Sequence, residues 1–225
     1  MAHLKRLNAP KSWSIKKKGI TFVARPMPGP HKLRESISLS VLIRDYLKYA
    51  KTTREVKKIL NNSEILVNNA PVKDYHFPIG FFDTLELPKL KEIYILIYNQ
   101  KGKFILKPIQ KDAALSKPYK IINKKTLKGK KTQLNFYNGR NIIVDKDEYK
   151  VGDSIILSDN KIKKHLKLEK GALIFLTGGA YIGSIAELQN IQHISKSQTN
   201  MIELKKDEGT IRTLKKYAFV IEKPI

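Results

Sequence analysis

The chain has 225 residues, of which 44 are Lys or Arg and 20 are Asp or Glu; its formal net charge is +24 and it contains no cysteine. Disulfides, thiolate-ligated zinc sites and thiol nucleophiles are therefore excluded, and the composition fits a reducing, cytoplasmic setting. Hydrophobic residues make up 41%, enough for packed cores. The charge indicates a polyanionic partner, which we expect to be nucleic acid rather than an anionic membrane.

The charge excess lies in two segments. Residues 1–34 carry nine basic residues and no acidic one, and residues 101–170 carry 19 basic and seven acidic residues. Residues 35–100 have a net charge of only +1, and residues 171–225 one of +2. No apolar segment follows the basic residues 1–7, and the longest uncharged stretch, residues 171–186, contains four glycines. We therefore expect a soluble protein without a secretion signal or a membrane partner.

Residues 1–40 are predicted to form an extended basic arm. Four prolines lie within the first 30 residues, and each disfavours helix at the residue before it. Because its positive charges repel one another, we expect the arm to be uncovered and to become ordered only on RNA. Trp13 has two interpretations: it stacks on a base, or, as we favour, it attaches the arm to the next domain.

Two short helices are predicted next. Ser40 is the expected N-cap of the first, whose apolar stripe runs from Leu42 to Ala50. Thr52 and Glu55 have the spacing of a capping box, which predicts the start of the second. Basic residues occupy the opposite faces, namely Arg44, Lys48 and Lys51 on the first helix and Arg54, Lys57 and Lys58 on the second. Taken alone, this pattern fits a solvated surface and a phosphate-binding surface equally well.

Short strands and tight turns are predicted from there to residue 170. Asn68-Asn69 indicates a turn, because asparagine tolerates the left-handed region. A strand at residues 103–107 is expected to open a basic, mostly β domain. In it, Asn138-Gly139 predicts a hairpin, because both central residues can take positive φ. The lysine-rich residues 117–131 are interpreted as a loop facing solvent or RNA, and residues 158–160 as a turn.

The last 55 residues are predicted to form a small barrel, because short strands alternate with tight turns. Residues 191–194 are one of these strands. Gly178 to Gly183 has the glycine spacing of a phosphate loop, but Ser184 stands where the required lysine should be. We therefore interpret the glycines as a turn that needs positive φ.

No catalytic or metal-binding pattern occurs in the sequence. The five histidines are far apart and lack metal-ligand spacing. Asp145, Asp147 and Glu148 lie beside lysines and are interpreted as a solvated loop, since an acid/base pair would need burial. We predict no cofactor, no metal, no small-molecule substrate and no enzymatic activity.

A series of short motifs follows in order along the chain. The most specific is the run from Gly29 to Glu35, Gly-Pro-His-Lys-Leu-Arg-Glu. Weaker motifs lie at residues 3–11, 25–26, 47–50, 55–59, 78–83 (Pro78, Gly80 and Asp83), 101–102, 151–153 and 177–179. Together they resemble the S-four-e family of archaeal and eukaryotic small-subunit ribosomal proteins. The resemblance implies a structural constituent of the small ribosomal subunit that binds small-subunit (16S-type) rRNA beside neighbouring ribosomal proteins.

With this resemblance, the sequence predicts an α+β, multidomain and mostly β protein. Its parts are the arm (residues 1–40), an S-four RNA-binding domain of paired helices and a small sheet (41–102), a central basic β domain (103–170), and a KOW-type, SH3-like barrel with C-terminal strands (171–225). Asn69 and Ala186 stand where such domains often have glycine. At Ala186 a methyl group could weaken an RNA contact.

The resemblance also makes particular side chains candidates for RNA binding. In the arm they are Lys5, Arg6, Lys11, Lys16, Lys17, Lys18, Arg25, His31, Lys32 and Arg34, and on the helices Arg44, Lys48, Lys51, Arg54, Lys57 and Lys58. The KOW-type turn comprises Gly178, Gly179 and Gly183. Two alternatives stay open: an RNA-modifying enzyme with an S-four domain, which would need a catalytic aspartate, and a KOW-type transcription or RNA-binding factor outside the ribosome.

Overall fold

The computed structural model describes residues 3–145, 147–158, 161–192, 200–206 and 209–223. Within them the chain is mostly β, with several separate sheets, as predicted. The helices are α1 (Leu39–Val41), α2 (Thr53–Asn61) and α3 (Lys111–Leu115). The chain divides into two compact units: unit 1 contains residues 1–98 and 102–114, and unit 2 contains residues 99–101 and 115–225. Over the described ranges, no helix has the length and apolar character needed to cross a membrane.

The strands of unit 1 pair only in antiparallel fashion. They are β1 (Leu4–Lys5), β2 (Phe22–Val23), β3 (Ser36–Ser38), β4 (Leu66–Val67), β5 (Ala70–Pro71), β6 (Pro78–Gly80), β7 (Thr84–Leu87), β8 (Glu92–Tyr98) and β9 (Phe104–Pro108). β1 pairs with β2, β3 pairs with β6, and the others form a sheet in the order β5-β4-β7-β8-β9. The strand expected to open the central domain is thus β9, and it pairs with β8 inside unit 1.

The arm is folded onto unit 1, which corrects the prediction of an uncovered arm that only RNA orders. Trp13 is 2% exposed, and its Nε1 donates a 2.8 Å hydrogen bond to the carbonyl oxygen of Ser36, on the strand β3 that pairs with β6 outside the arm. The amide of Ser14 donates to the hydroxyl of Tyr46 at 2.7 Å. Burying a large aromatic side chain stabilises by a few kcal/mol, and this outweighs repulsion between well-solvated lysines. The interpretation of Trp13 as an attachment point is confirmed.

The first helix is shorter than its apolar stripe predicts. α1 begins after Ser38 rather than Ser40 and continues directly into a π turn at Leu42–Tyr46. Lys48 has a φ of +60°, in the left-handed region that cannot continue a helix. Lys48 and Lys51 therefore lie beyond the helix and do not share a helical face with Arg44.

The second helix begins where the capping box predicts. The amide of Glu55 donates to Oγ1 of Thr52 at 3.3 Å, and the Glu55 carboxylate accepts hydrogen bonds from the amide of Lys51 (2.8 Å) and the hydroxyl of Thr52 (2.9 Å). The bonds from Lys51 and Thr52 lower the pKa of Glu55. Val56 and Leu60 on the opposite side of α2 are buried.

The turn at Asn68-Asn69 is also confirmed, with φ values of +53° and +65°. It joins β4 to β5, which pair directly. The side chain of Asn68 connects this turn to the strand beside it, because its Oδ1 accepts the amide of Thr84 at 3.0 Å and its Nδ2 donates to Asp83 at 2.8 Å. The substitution of asparagine for glycine at position 69 thus leaves the turn intact.

Unit 2 contains two five-stranded antiparallel sheets. Its strands are β10 (Pro118–Thr126), β11 (Thr132–Phe136), β12 (Asn141–Val144), β13 (Ser154–Ser158), β14 (Lys161–Leu166), β15 (Leu173–Leu176), β16 (Ile185–Gln192), β17 (Met201–Lys206), β18 (Gly209–Leu214) and β19 (Ala218–Val220). The sheets have the orders β12-β11-β10-β13-β14 and β18-β17-β16-β15-β19. Part of the turn predicted at residues 158–160 and the end of the strand predicted at 191–194 lie outside the described residues.

Residues 117–131 are not the loop that their lysine content suggests, because most of them form β10 at the centre of the first sheet. Tyr119 and Ile121 alternate along this strand and pack with Phe136 in a buried cluster. Pairing with β11 on one side and β13 on the other outweighs the low strand preference of lysine. Lys120, Lys124 and Lys125 are therefore mounted on a strand of this sheet, and Lys128, Lys130 and Lys131 follow between this strand and β11.

The hairpin between β11 and β12 is confirmed, although its turn differs from the predicted one. Only Gly139 of the Asn138-Gly139 pair has positive φ, at +77°. The ladder ends at the pair Asn135 and Asn141, so the loop is longer than two residues. Asp145, Asp147 and Glu148, which follow the hairpin, are exposed, as expected for a solvated loop.

Lys120, on β10, supplies a test by pH. Its side chain is buried, and its ammonium group donates a 2.7 Å hydrogen bond to the carbonyl oxygen of Lys216. Burial, with a smaller effect from the charge of Lys215, lowers the pKa of Lys120 from 10.5 to about 8. Between about pH 8 and pH 10.5, Lys120 is protonated in the unfolded chain and has lost its proton in the folded chain. The free energy of unfolding therefore rises with pH in this range. From pH 7 to pH 10, we expect wild type to gain about 2–3 kcal/mol relative to Lys120→Met.

Urea titrations followed by circular dichroism at several pH values would measure this gain. Lys125→Met is the matched control, because Lys125 lies on the same strand with an exposed side chain. Its stability relative to wild type should not change over the same pH range. An equal pH dependence in the two variants would contradict the assignment to Lys120.

Candidate nucleic-acid interface

Most of the basic residues predicted in the arm lie at the surface of unit 1. Those with exposed side chains are Lys5, Lys11, Lys16, Lys17, Lys18, Lys32 and Arg34, while Arg25 is half-buried. The ammonium group of Lys17 is held near the chain by the carbonyl oxygens of Arg6 (3.3 Å) and Ala9 (3.2 Å). Because the arm is anchored, these charges are presented on an ordered segment.

Arg6 is one of two predicted arm residues that lie in the interior. Its Nη1 donates to the carbonyl oxygen of Lys16 at 2.9 Å, and its Nη2 lies 3.7 Å from the Asp45 carboxylate. A buried guanidinium with these partners is not presented to a phosphate. Contrary to the prediction, Arg6 holds the arm against unit 1.

His31 is the second predicted arm residue that lies in the interior, and it belongs to a buried polar cluster. Its Nε2 lies 2.7 Å from the Asp83 carboxylate, which also accepts the amide of Gly80 (2.9 Å) and Nδ2 of Asn68 (2.8 Å). A Cβ on Gly80 would come within 2.4 Å of the His31 ring, so the ring packs where only glycine fits. His31 therefore serves the fold, again in contrast to the prediction.

The basic residues at α2 form an accessible surface, which we call the α2 face. All of its members have exposed side chains: Lys51, Arg54, Lys57 and Lys58. The ammonium group of Lys57 lies 4.6 Å from the centroid of the Tyr75 ring, a cation–π contact that fixes its position. Because the four cations lie within eight consecutive residues, they form one patch of positive charge that a phosphate backbone can meet.

The two remaining candidates near α1 differ from the α2 face. The guanidinium of Arg44 donates to both carboxylate oxygens of Asp45, at 3.2 and 2.9 Å. Asp45 thus neutralises Arg44 and also lies beside Arg6. Lys48 is exposed beyond the end of the helix. Of Arg44 and Lys48, only Lys48 has an exposed charge without a neighbouring carboxylate partner among the residues that the structure describes, as phosphate binding requires.

The three glycines of the predicted KOW-type turn are required for different reasons. Gly179 and Gly183 have φ values of +83° and +77°, as predicted for this turn. A Cβ at Gly178 would lie 2.4 Å from the ring of Tyr217, and one at Gly183 would lie 2.4 Å from the backbone of Asn99. These glycines adapt the turn to the rest of unit 2.

Ala186 lies on β16 with its side chain in the apolar core of the second sheet. It is 4% exposed and belongs to the same buried cluster as Ile174 and Leu188. Its methyl group therefore packs inside unit 2, where it does not obstruct an RNA bound at the surface.

The lysine-rich part of unit 2 also exposes cations, none of which is among the RNA-binding residues predicted from the sequence. They are Lys125, Lys128, Lys130 and Lys131, on β10 and the turn after it. The ammonium of Lys131 lies 3.4 Å from Asp145, itself exposed. The charge excess of residues 101–170 indicates this region, but which of its lysines are exposed is known only from the position of β10.

Over the part of the chain that the structure describes, no cluster of acidic or histidine side chains could hold a metal ion.

Comparison with known proteins connects these surfaces to a family. The sequence model of Ribosomal family S4e matches residues 90–163, and that of the RS4NT (NUC023) domain matches residues 2–34. Small ribosomal subunit protein eS4 of Methanosphaera stadtmanae is 41% identical over 227 residues, which cover 99% of this chain and 94% of that protein. The protein of the same name from Archaeoglobus fulgidus is 42% identical over 223 residues, with coverages of 98% and 93%.

The fold agrees with that of a solved relative. The crystal structure of the 30S ribosomal protein S4e from Thermoplasma acidophilum is 31% identical in sequence and has a TM-score of 0.72. The match covers 83% of this chain and 95% of that one. Because the similarity extends along nearly the whole sequence, this chain belongs to ribosomal family S4e.

Proposed function

We infer that this protein is a structural, non-enzymatic constituent of the small ribosomal subunit, where it binds and stabilises small-subunit rRNA during translation. The observation that carries this conclusion is its identity to eS4 proteins, about 40% over almost the full length. Neighbouring subunit proteins would be further partners, and the cytoplasm its location. The alternatives of an RNA-modifying enzyme and of a transcription factor find no support in this family.

The finer domain assignments are part of the proposal. We assign residues 41–102 to an S-four RNA-binding domain, which the succession of α2 and the paired strands β4 and β5 supports. Residues 103–170 are proposed as a central basic domain, although its first strand, β9, pairs with β8 inside unit 1. Residues 171–225 are proposed as a KOW-type barrel, with the glycine turn as its support. In all of them the interaction with RNA would be charge neutralisation and recognition of shape, since folded RNA is read largely through its backbone.

The α2 face is the candidate for the dedicated contact. The segment that contains it is nearly neutral overall, yet four exposed cations are concentrated there. Removing one cation that binds a phosphate should flatten the slope of log K against log salt by roughly 0.7–0.9. We expect the variant with glutamine at all four positions of the α2 face to bind small-subunit rRNA about 10- to 100-fold more weakly at a salt concentration of about 150 mM. Its salt slope should be flatter by about 3.

Filter binding of full-length protein at several salt concentrations would measure both quantities. The control is a second quadruple variant with the same change in charge, made at exposed lysines of unit 1 outside α2: Lys73, Lys91, Lys107 and Lys111, each to glutamine. Equal reductions of affinity in the two variants would show that only net charge matters and would contradict the α2 face.

Assembly is tested separately by sedimenting the native protein from a cell extract through a sucrose gradient. We expect it to migrate with the small ribosomal subunit and to be released by high salt. Protein that stays at the top of the gradient in low salt would contradict the proposed function.

A further inference from the structure

The strand pair β1–β2 at the start of the arm has one face turned to the interior and one to solvent. Leu4 is paired with Val23, which is buried, and Lys5 is paired with Phe22, which is exposed. His3 lies two residues before Lys5, and its ring centroid is 5.4 Å from that of Phe22. We call the outer side, formed by His3, Lys5 and Phe22, the ribbon face.

The surroundings of the ribbon face expose unusually large apolar groups. Phe22 is 50% exposed, Ile20 beside it 65%, and Leu7, directly after β1, 74%. Single exposed apolar residues are normal, but these three lie on two short segments joined by the β1–β2 pair and by the bond from the Arg6 amide to the Thr21 carbonyl oxygen. Together they indicate a contact surface. The surface is also ordered before binding, because Arg6, beside Asp45, and the buried Trp13 hold the arm on the rest of unit 1. Little conformational entropy is then lost on binding.

Charge identifies the kind of partner. Residues 1–34 contain nine basic residues and no acidic one, and the loop closed by the ribbon exposes Lys16, Lys17 and Lys18. Lysine is depleted in protein–protein interfaces, so an apolar patch surrounded by lysines is a poor match for a protein surface. Aromatic rings bordered by lysines are what unpaired nucleotides require, since the base stacks on the ring and the phosphate meets the cation.

We propose that the ribbon face binds an unpaired nucleotide of rRNA, with its base stacked on Phe22 and its phosphate contacted by Lys5. This rests on the proposed function but adds a defined site to it. Phe22 thus takes the base-stacking role considered for Trp13, because Trp13 is buried and Phe22 is accessible to RNA. His3, packed against Phe22, supports the ring.

The test uses full-length Phe22 variants and in-vitro-transcribed small-subunit rRNA. Stacking on an aromatic side chain is worth about tenfold in affinity or more. Phe22→Ala and Phe22→Leu should therefore each bind about tenfold more weakly, with an unchanged salt slope, while Phe22→Tyr should bind like wild type. Lys5→Gln should instead flatten the salt slope by roughly 0.7–0.9. Mapping of 2′-hydroxyl reactivity should show that the same unpaired nucleotide is no longer protected in Phe22→Ala and Phe22→Leu.

The outcomes separate this inference from the proposed function. If wild type binds the rRNA and Phe22→Leu binds equally well, the contact is apolar rather than stacking and the inference is wrong. If wild type and all Phe22 variants bind equally, the ribbon face does not contact RNA, while the proposed function stands. Failure of wild type itself to bind would overturn both. Thermal melting of each variant confirms that the half-exposed position leaves the fold intact.

Discussion

Replacing Asp83 with alanine is expected to destabilise unit 1 by about 3–5 kcal/mol, a large part of the stability of a typical domain. The carboxylate is 2% exposed and accepts hydrogen bonds from three different segments, through His31, Asn68 and Gly80. Without it, the His31 ring, the Asn68 amide and the Gly80 N–H each lose a hydrogen bond in or beside the interior, and a lost buried partner destabilises by about 1–3 kcal/mol. Trp13, the only tryptophan of the chain, reports on unit 1 by its fluorescence in a urea titration.

Asp74→Ala is the matched control for Asp83→Ala. Asp74 is in the same unit, its side chain is 44% exposed, and its carboxylate accepts the amide of His76 at 2.7 Å. We expect stability to fall by no more than about 1 kcal/mol, as for most exposed positions. Similar shifts of the urea midpoint in the two variants would show that the buried cluster has no special part in the stability of unit 1.

Trp13→Ala is expected to have an effect of similar size, about 3–5 kcal/mol. The change removes a fully buried indole and leaves the carbonyl oxygen of Ser36 without its 2.8 Å donor. We also expect the arm to detach from the rest of unit 1, so that trypsin cleaves rapidly after Lys16, Lys17 and Lys18. Circular dichroism in urea would measure the first effect, and the rate of arm cleavage the second.

Phe22→Ala provides the control for Trp13→Ala, because it truncates an aromatic residue of the same arm that is half exposed. It should change stability by less than about 1 kcal/mol and leave the cleavage rate near that of wild type. If Trp13→Ala were cleaved no faster than Phe22→Ala, the indole would not be the anchor of the arm.

Features that depend on neighbouring residues were predictable from the sequence. The capping box at α2 needs only Thr52 and Glu55, three residues apart, and the Asn68-Asn69 turn needs only two residues that tolerate positive φ. The first helix is shorter than its apolar stripe predicts, although that stripe is local too. Its end depends on the left-handed φ of Lys48, and a lysine at that position gives no sign of it.

The candidate interface was only partly predictable, because the role of a basic residue depends on what lies opposite it in space. Arg6 and Lys5 are adjacent in sequence and equally basic, yet Arg6 is buried beside Asp45 whereas Lys5 is exposed on the ribbon face. His31 sits in the most specific motif of the family, but its partner Asp83 is 52 residues away. A charge count cannot distinguish such cases.

The order of residues alone establishes the family, the excess of positive charge and its division along the chain. Which of those charges are presented to a partner is decided by folding. Burial of Trp13 turns a proline-bearing, highly charged segment into an ordered part of unit 1. Strand pairing likewise turns a lysine-rich segment, predicted as a loop, into β10. In both cases the decisive free energy comes from contacts between residues far apart in the chain, which no local pattern contains.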